Sequence, residues 1–339
     1  MNPLERSLRL VDRWQQAHRA PGFLFAVFKK FGDDQGGNLV ALLTYFAFIS
    51  IFPLLLALTS ILGLVLAGHP DWQRSIQTSA LSEFPIIGDQ LREQTSGAHL
   101  PHSGLALAVG LVGAILGGRG LANAVQNVMN TVWNVPRVDR PGFPGNQLRT
   151  FGILGLLFLG ACLTAGASAL AGAAGSLGIH GWPLTALLFI LSTLIDIGLF
   201  WAAFRLATAP VISNRDLLPG AILSGIAWQI LLSLAGLIVD HYLRHAQAVG
   251  GLFGVVLGLL AWFGLQATVT VYAVEADVVR ARHLWPRSIT QPPLTDADRK
   301  SLRESAEAER RRPEQEVSVE FTSQADHDPM QQPPLDRDG

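Results

Sequence analysis

Long apolar runs separated by short polar breaks dominate this chain. They fall at about 39–67, 103–118, 151–177, 184–208, 217–239 and 250–274. No Asp, Glu, Lys or Arg occurs between Gln35 and Pro70, and after Arg149 the next formal charge is Asp196. About 20 apolar residues suffice to cross the hydrocarbon core of a bilayer, so the pattern predicts transmembrane helices. The runs are long and continuous, without the ten-residue alternation of a membrane barrel. The second run is short and is expected to continue as one helix through Arg119 toward Trp133. Gly178 to Pro183 punctuates the third and fourth runs, with Trp182 suited to the lipid–water interface. The predicted fold is therefore all-α, a polytopic bundle of six transmembrane helices.

Basic residues orient the bundle. Arg6, Arg9, Arg13, Arg19, Lys29, Lys30, Arg119, Arg137, Arg140, Arg149, Arg205, Arg215, Arg280, Arg282 and Arg287 fall on one side, against Arg74, Arg92 and Arg244 on the other. Both termini are accordingly expected in the cytoplasm. Residues 1–37 read as a cytoplasmic and interfacial segment, with an interfacial helix or a simple lead into the first span over Phe23 to Phe31. Residues 38–285 read as the membrane domain, and 286–339 as a disordered cytoplasmic tail with a transient charged helix over 299–312. The outer loop 68–102 has the composition for a short amphipathic helix.

Composition narrows the chemistry. The chain has 339 residues, of which 15% are charged, with a net charge of −1. That balance gives no reason to expect nucleic acid. The one cysteine, Cys162, excludes an internal disulfide, and nothing before residue 35 has the form of a cleavable signal peptide. Nine scattered histidines show no metal-ligand spacing, and no Gly-rich phosphate loop is present, so neither metal nor cofactor is expected. Nor is there a nucleophile–base or paired-carboxylate arrangement to suggest an enzyme.

Charge at membrane depth is costly and needs an account. Asp196 and Arg119 lie at similar depths from the outer ends of their helices, so they are candidate partners, either as an ion pair that fixes packing or as part of a transport path. Asn123, Asn127, Asn130 and Asn134, spaced by 4, 3 and 4, share one helical face that is either a solvated extension or a polar vestibule. Pro53 is expected to kink or break the first span, with Thr44 and Ser50 hydroxyls, or water, available to the freed carbonyls. Tyr45 joins these as a candidate of the polar interior. Arg205 and Glu275 are expected to pair at the cytoplasmic rim. Gly113-x-x-x-Gly117 and the series Gly250, Gly254, Gly258 permit close helix contact within the bundle or between copies. Asp240, His241, Arg244 and His245 read as an interfacial cap.

Several segments resemble the YihY/BrkB family of bacterial inner-membrane proteins. They are Ala41 to Phe46 with Ser50 to Leu56, then Gly120-Leu121 through Asn127, Asn130 and Trp133. The closing third follows in Leu218-Pro219-Gly220-Ala221, Trp228, Gly251 to Gly258, Trp262 and Ala273 to Ala276. The resemblance covers about residues 25–285. It implies a six-helix protein of the inner membrane, sometimes tied to envelope integrity or lipid export. Some members carry a ribonuclease label that the residues here do not support. The functional expectation is a transporter or lipid translocator acting on lipidic or amphipathic cargo among membrane lipids. The alternative is a scaffold that organises envelope proteins, and a homo-oligomer is compatible with either.

Overall fold

The computed structural model describes residues 3–65, 104–176, 182–249, 252–291 and 293–321, all helix and connecting turn. The helices are α1 (Pro3–Ala17), α2 (Arg19–Asp33), α3 (Gly36–Val65), α4 (Gly104–Val132), α5 (Gly145–Ser176), α6 (Trp182–Ala207), α7 (Asn214–Val249), α8 (Leu252–Arg282) and α9 (Asp296–Glu307). Windows within α3, α6, α7 and α8 are long and apolar enough to cross a membrane. The outer loop 68–102, the segment 322–339 and the side chains of Asp240, His241, Arg244 and His245 lie outside the described residues.

The six long helices form a closed circuit in chain order, α3 to α8 and back to α3. Glycines mark the seams. A side chain at Gly117 or Gly120 would meet Ser50 or Phe46 of α3, one at Gly118 would meet Leu154 of α5, and one at Gly152 would meet Leu206 of α6. A Cβ at Gly225 of α7 would lie 2.9 Å from the Ile197 backbone nitrogen of α6, and one at Gly220 would meet Asp277 of α8. The residue numbers at these contacts run in opposite senses, so neighbours are antiparallel. The Gly113-x-x-x-Gly117 pair packs inside the bundle, against Pro53 and Ser50.

Pro53 does not break its helix. α3 is continuous from Gly36 to Val65, and the Pro53 ring lies against Gly113, where no side chain obstructs it. The expected hydroxyl rescue is also absent: Thr44 donates to Val40 O and Ser50 to Phe46 O, each four residues back.

At one end of the circuit, here called the base, α1, α2, α9 and their connections collect. α2 is a separate helix from α3, divided from it at Gln35 by a positive φ of 54°. Helices α4 and α8 end alike. Asn134 and His283 have φ of 48° and 55°, and the next N–H in each case reaches back five residues, Val135 to Asn130 O and Leu284 to Val279 O. This is the Schellman arrangement, followed in both cases by a proline that stops the helix.

The tail expected to be disordered from residue 286 is ordered through residue 321 among the described residues. Thr295 and Asp298 form a capping box at the start of α9. Leu284, Arg287, Ser288 and Asp298 are buried. The segment then runs along the α4–α5 connection, where the N–H groups of Arg137 and Val138 donate to Ala308 O and Arg310 O. Its charges have partners on α2 and on the α4–α5 connection, and its Ile289 and Thr290 donors meet Asp12 of α1, which composition alone does not reveal.

Packing is uneven along the bundle. Near the base, Val128 and Val132 of α4, Val271, Val274 and Val278 of α8 and Leu217 of α7 are buried together. Farther from the base, Phe158, Leu159 and Leu163 of α5 are exposed, as are Leu187, Ile190 and Leu194 of α6 and Ile230 and Leu234 of α7.

Candidate functional site

The intramembrane charges separate instead of pairing. Arg119 is on α4, one residue after a glycine that faces α5 and one before a glycine that faces α3. Val128 and Val132 on the inward face are buried, whereas Arg119, Asn123 and Asn127 are exposed, together with Val112 and Leu116. Arg119 therefore lies on the outer surface of the circuit. Among the described residues it has no hydrogen-bond or ion-pair partner.

Asp196 lies between α6 and α7. Its Oδ2 accepts a hydrogen bond from Nε2 of Gln229 at 2.5 Å, and the next residue, Ile197, packs on Gly225. The expected Arg119–Asp196 pair is not formed, because helix rotation turns one outward and the other toward its neighbour. Gln229 is the partner that sequence reasoning missed. Its signal was an amide inside an otherwise apolar run, next to Trp228.

The asparagine stripe divides in the same way. Asn130 is buried and ties α4 to the end of α6. Its Nδ2 donates to Gln126 O and Ala207 O, and its Oδ1 accepts from the Ala209 N–H at 3.0 Å. Gln126 donates to Thr150, whose hydroxyl donates to Asn123 Oδ1 at 3.2 Å. Asn127 remains on the surface. Tyr45 is 56% exposed, on a face of α3 turned away from the Thr44 contact with α8 and the Phe46 contact with α4, so it is not interior.

Arg205 and Glu275 do not pair either, since α6 and α8 are not neighbours. Nη1 of Arg205 is buried without a hydrogen bond. Glu275 faces α2, where Lys30 Nζ is 3.7 Å from its Oε2. Lys30 and Glu275 are both 0% exposed, and Lys30 also binds Asp34 and donates to Val132 O at 3.0 Å. One ammonium thus joins α2, α4 and α8. The stacked rings of Phe31 and Tyr272, 4.2 Å apart, hold α2 on α8 beside it.

A second polar knot closes the base. Asp298 accepts from Arg287 Nε at 2.5 Å, Lys29 Nζ at 2.9 Å, and the N–H and hydroxyl of Ser288. Arg287 also donates to Asp33 at 2.8 Å. Burial works against a charge on Asp298, but Lys29, Arg287, Ser288 and Thr295 together hold its carboxyl well below the usual range. Asp12 of α1 is likewise buried, yet the Ile289 N–H with Gln16, Gln15 and Thr290 lowers it from 3.8 to about 2. Among the described residues no group of three or more His, Cys, Asp or Glu is placed to hold a metal ion.

Known proteins place this architecture. The chain is 26% identical over 262 residues to the inner membrane protein YhjD of Escherichia coli, covering 72% of this chain and 76% of that one. It is 23% identical to the ribonuclease-like protein YfkH of Bacillus subtilis, over 76% of this chain and 94% of the relative. It is 27% identical to a UPF0761 membrane protein of Pseudomonas paraeruginosa, over 82% and 68%. No solved structure matches. The family described as virulence factor BrkB matches residues 27–295, which takes in the whole helical circuit and the Lys30–Glu275 knot. This multi-pass membrane protein belongs to that BrkB family.

Proposed function

We propose that the protein is a six-span inner-membrane translocator of amphipathic, lipid-like molecules in the bacterial envelope, with the base in the cytoplasm. The supporting observation is the uneven packing of the bundle around Asp196. On the base side, Leu217, Ala221 and Phe204 are buried. Beyond the Ile197–Gly225 contact none of the described side chains of α6 and α7 is buried, and Phe189 and Ile230 are uncovered, whereas on the base side buried side chains stand beside exposed ones such as Phe151 and Leu223. A closed apolar base and a loosely packed far half, with one carboxylate and one amide at the boundary, suit a molecule with a greasy body and a small polar group. The inner-membrane placement follows the relative in Escherichia coli, and the orientation follows the basic flanks.

A scaffold would need surface free for partners, and Arg287, Ile289 and Asp298 of the polar C-terminal segment are engaged by the protein's own N-terminal helices. The test is lipid movement in reconstituted vesicles, followed by chemical quenching of a fluorescent short-chain phospholipid. The wild type is expected to accelerate exchange between leaflets at least tenfold over empty vesicles, and Asp196→Ala to remove most of that gain while still folding. No acceleration by well-folded wild type would end the translocator reading.

A further inference from the structure

We propose that the outer face of α4 is a binding track for the phosphate of an anionic membrane phospholipid, with Arg119 as its cationic end. Arg119 precedes Asn130 by eleven residues, about 16 Å at helical rise. Asn130 marks the base, where α6 ends at Ala207. Half of a 30 Å hydrocarbon core is about 15 Å, which places Arg119 near the midplane. An unpaired guanidinium there is costly against acyl chains, which favours an anion or water meeting it.

Among the described residues no acid is placed to meet Arg119. Among the described residues the acid at this depth is Asp196, which is held by Gln229 on another seam. A second copy docked on the same face would bring Arg119 toward Arg119, with no acid opposite. The surrounding medium does offer a fitting anion. A phosphodiester accepts two parallel N–H donations from a guanidinium, which is the strongest such contact an arginine makes. Asn123 and Asn127 are exposed at four-residue steps between Arg119 and the base. Their Cβ atoms are therefore about 6 Å apart, close enough for successive contacts with one headgroup. Past Arg119, the same face becomes apolar at Leu116 and Val112, both well exposed, which suits the acyl chains. Binding at this track stands on this geometry alone. Onward movement of the lipid rests on the translocator reading.

The experiment is lipid retention by the purified full-length protein, measured by native mass spectrometry after exchange into mixed micelles holding phosphatidylglycerol. Wild type is expected to retain phosphatidylglycerol and not diacylglycerol with the same chains. Arg119→Gln should lower retention at least tenfold, and Arg119→Lys should keep part of it. Asn127→Leu, at the base end of the track, serves as the second variant and should lower retention severalfold. Equal retention by wild type and these variants, each eluting as a folded particle, overturns the proposal. So does displacement of the lipid by millimolar glycerol phosphate, which would point to a small soluble anion. Asn123→Cys in a Cys162→Ala background gives the third arm. Efficient disulfide dimers would show that this face is covered by a second copy, and their absence supports a lipid-facing track. Retention with no leaflet exchange in the vesicle assay would uphold this site while defeating the translocator reading.

Discussion

At the base, Lys30, Arg287 and Asp298 are as deeply buried as the valines beside them, and each is met by two or more opposite or hydrogen-bonding groups. In the membrane half, Arg119 is exposed and has no partner among the described residues, and Asp196 is half-buried with one amide. Both regions contain charge where solvent is scarce, but they treat it differently. The base gathers charges from distant parts of the sequence, and their mutual attraction offsets much of the desolvation cost. Among the described residues, Arg119 and Asp196 have no opposite charge as partner. Matched charge at the base fits a fixed closure, while unmatched charge at membrane depth fits exchangeable ligands.

Removing one partner from the base should have the largest effect. Lys30→Met leaves Glu275 and Asp34 buried without their ammonium and is expected to cost about 3–5 kcal/mol. Thermal unfolding in detergent would show this, and Lys30→Met combined with Glu275→Gln should recover part of the loss. If Lys30→Met proves as stable as wild type, the base is not held by its charges.

Asp298→Ala should follow, at about 3 kcal/mol, because it strands Arg287 and the Ser288 donors. Limited proteolysis should then cut near residues 288–296, where wild type resists. The same closure should respond to acid. Asp12 is held at about 2 against 3.8 in its ordinary state, and Asp298 is also lowered. A depressed carboxylate stabilises fully above its unfolded value and loses that contribution as the pH falls through its folded value. Protease resistance of 288–296 should therefore be constant from neutral pH to about 4 and decline between about 4 and about 2. A midpoint near pH 6 would assign the closure to other groups.

Gly225→Ala tests the boundary between the two regions, since its methyl would fall 2.7 Å from Ile197 Cγ1 and against the Ile197 backbone. A cost of about 1–3 kcal/mol is expected from overpacking. The smallest effect belongs to Gly155→Ala, which meets nothing within 4 Å and should stay within about 0.5 kcal/mol of wild type. If the two substitutions cost the same, the α6–α7 seam is looser than its contacts indicate.

Much of the architecture was legible in the chain. Apolar runs reported helices because length and hydropathy are local properties. Asn134 was not legible in this way: read as the fourth member of a helical stripe, it lies past the end of α4 at Val132 with a positive φ of 48° that closes the helix. The long second helix through Arg119 to Val132 was also readable. The site was less legible. Depth can be counted along a helix, and that count is what suggests similar depths for Arg119 and Asp196. Which way each side chain faces depends on neighbours that periodicity does not name, and in a helix apolar on all sides the periodic signal is absent. Asp196 lies in such a helix, and Gln229 became its partner only through the Gly225 contact.

By itself, then, the sequence determined that this chain enters the membrane repeatedly as helices, because each run of uncharged residues needs no distant partner to prefer oil over water. Tertiary structure alone decided which charges meet. Lys30 reaches Glu275 across a separation of 245 residues and Asp298 joins Lys29 and Arg287, because an ion pair is a matter of distance in space, and the helical circuit, not the order of residues, sets that distance.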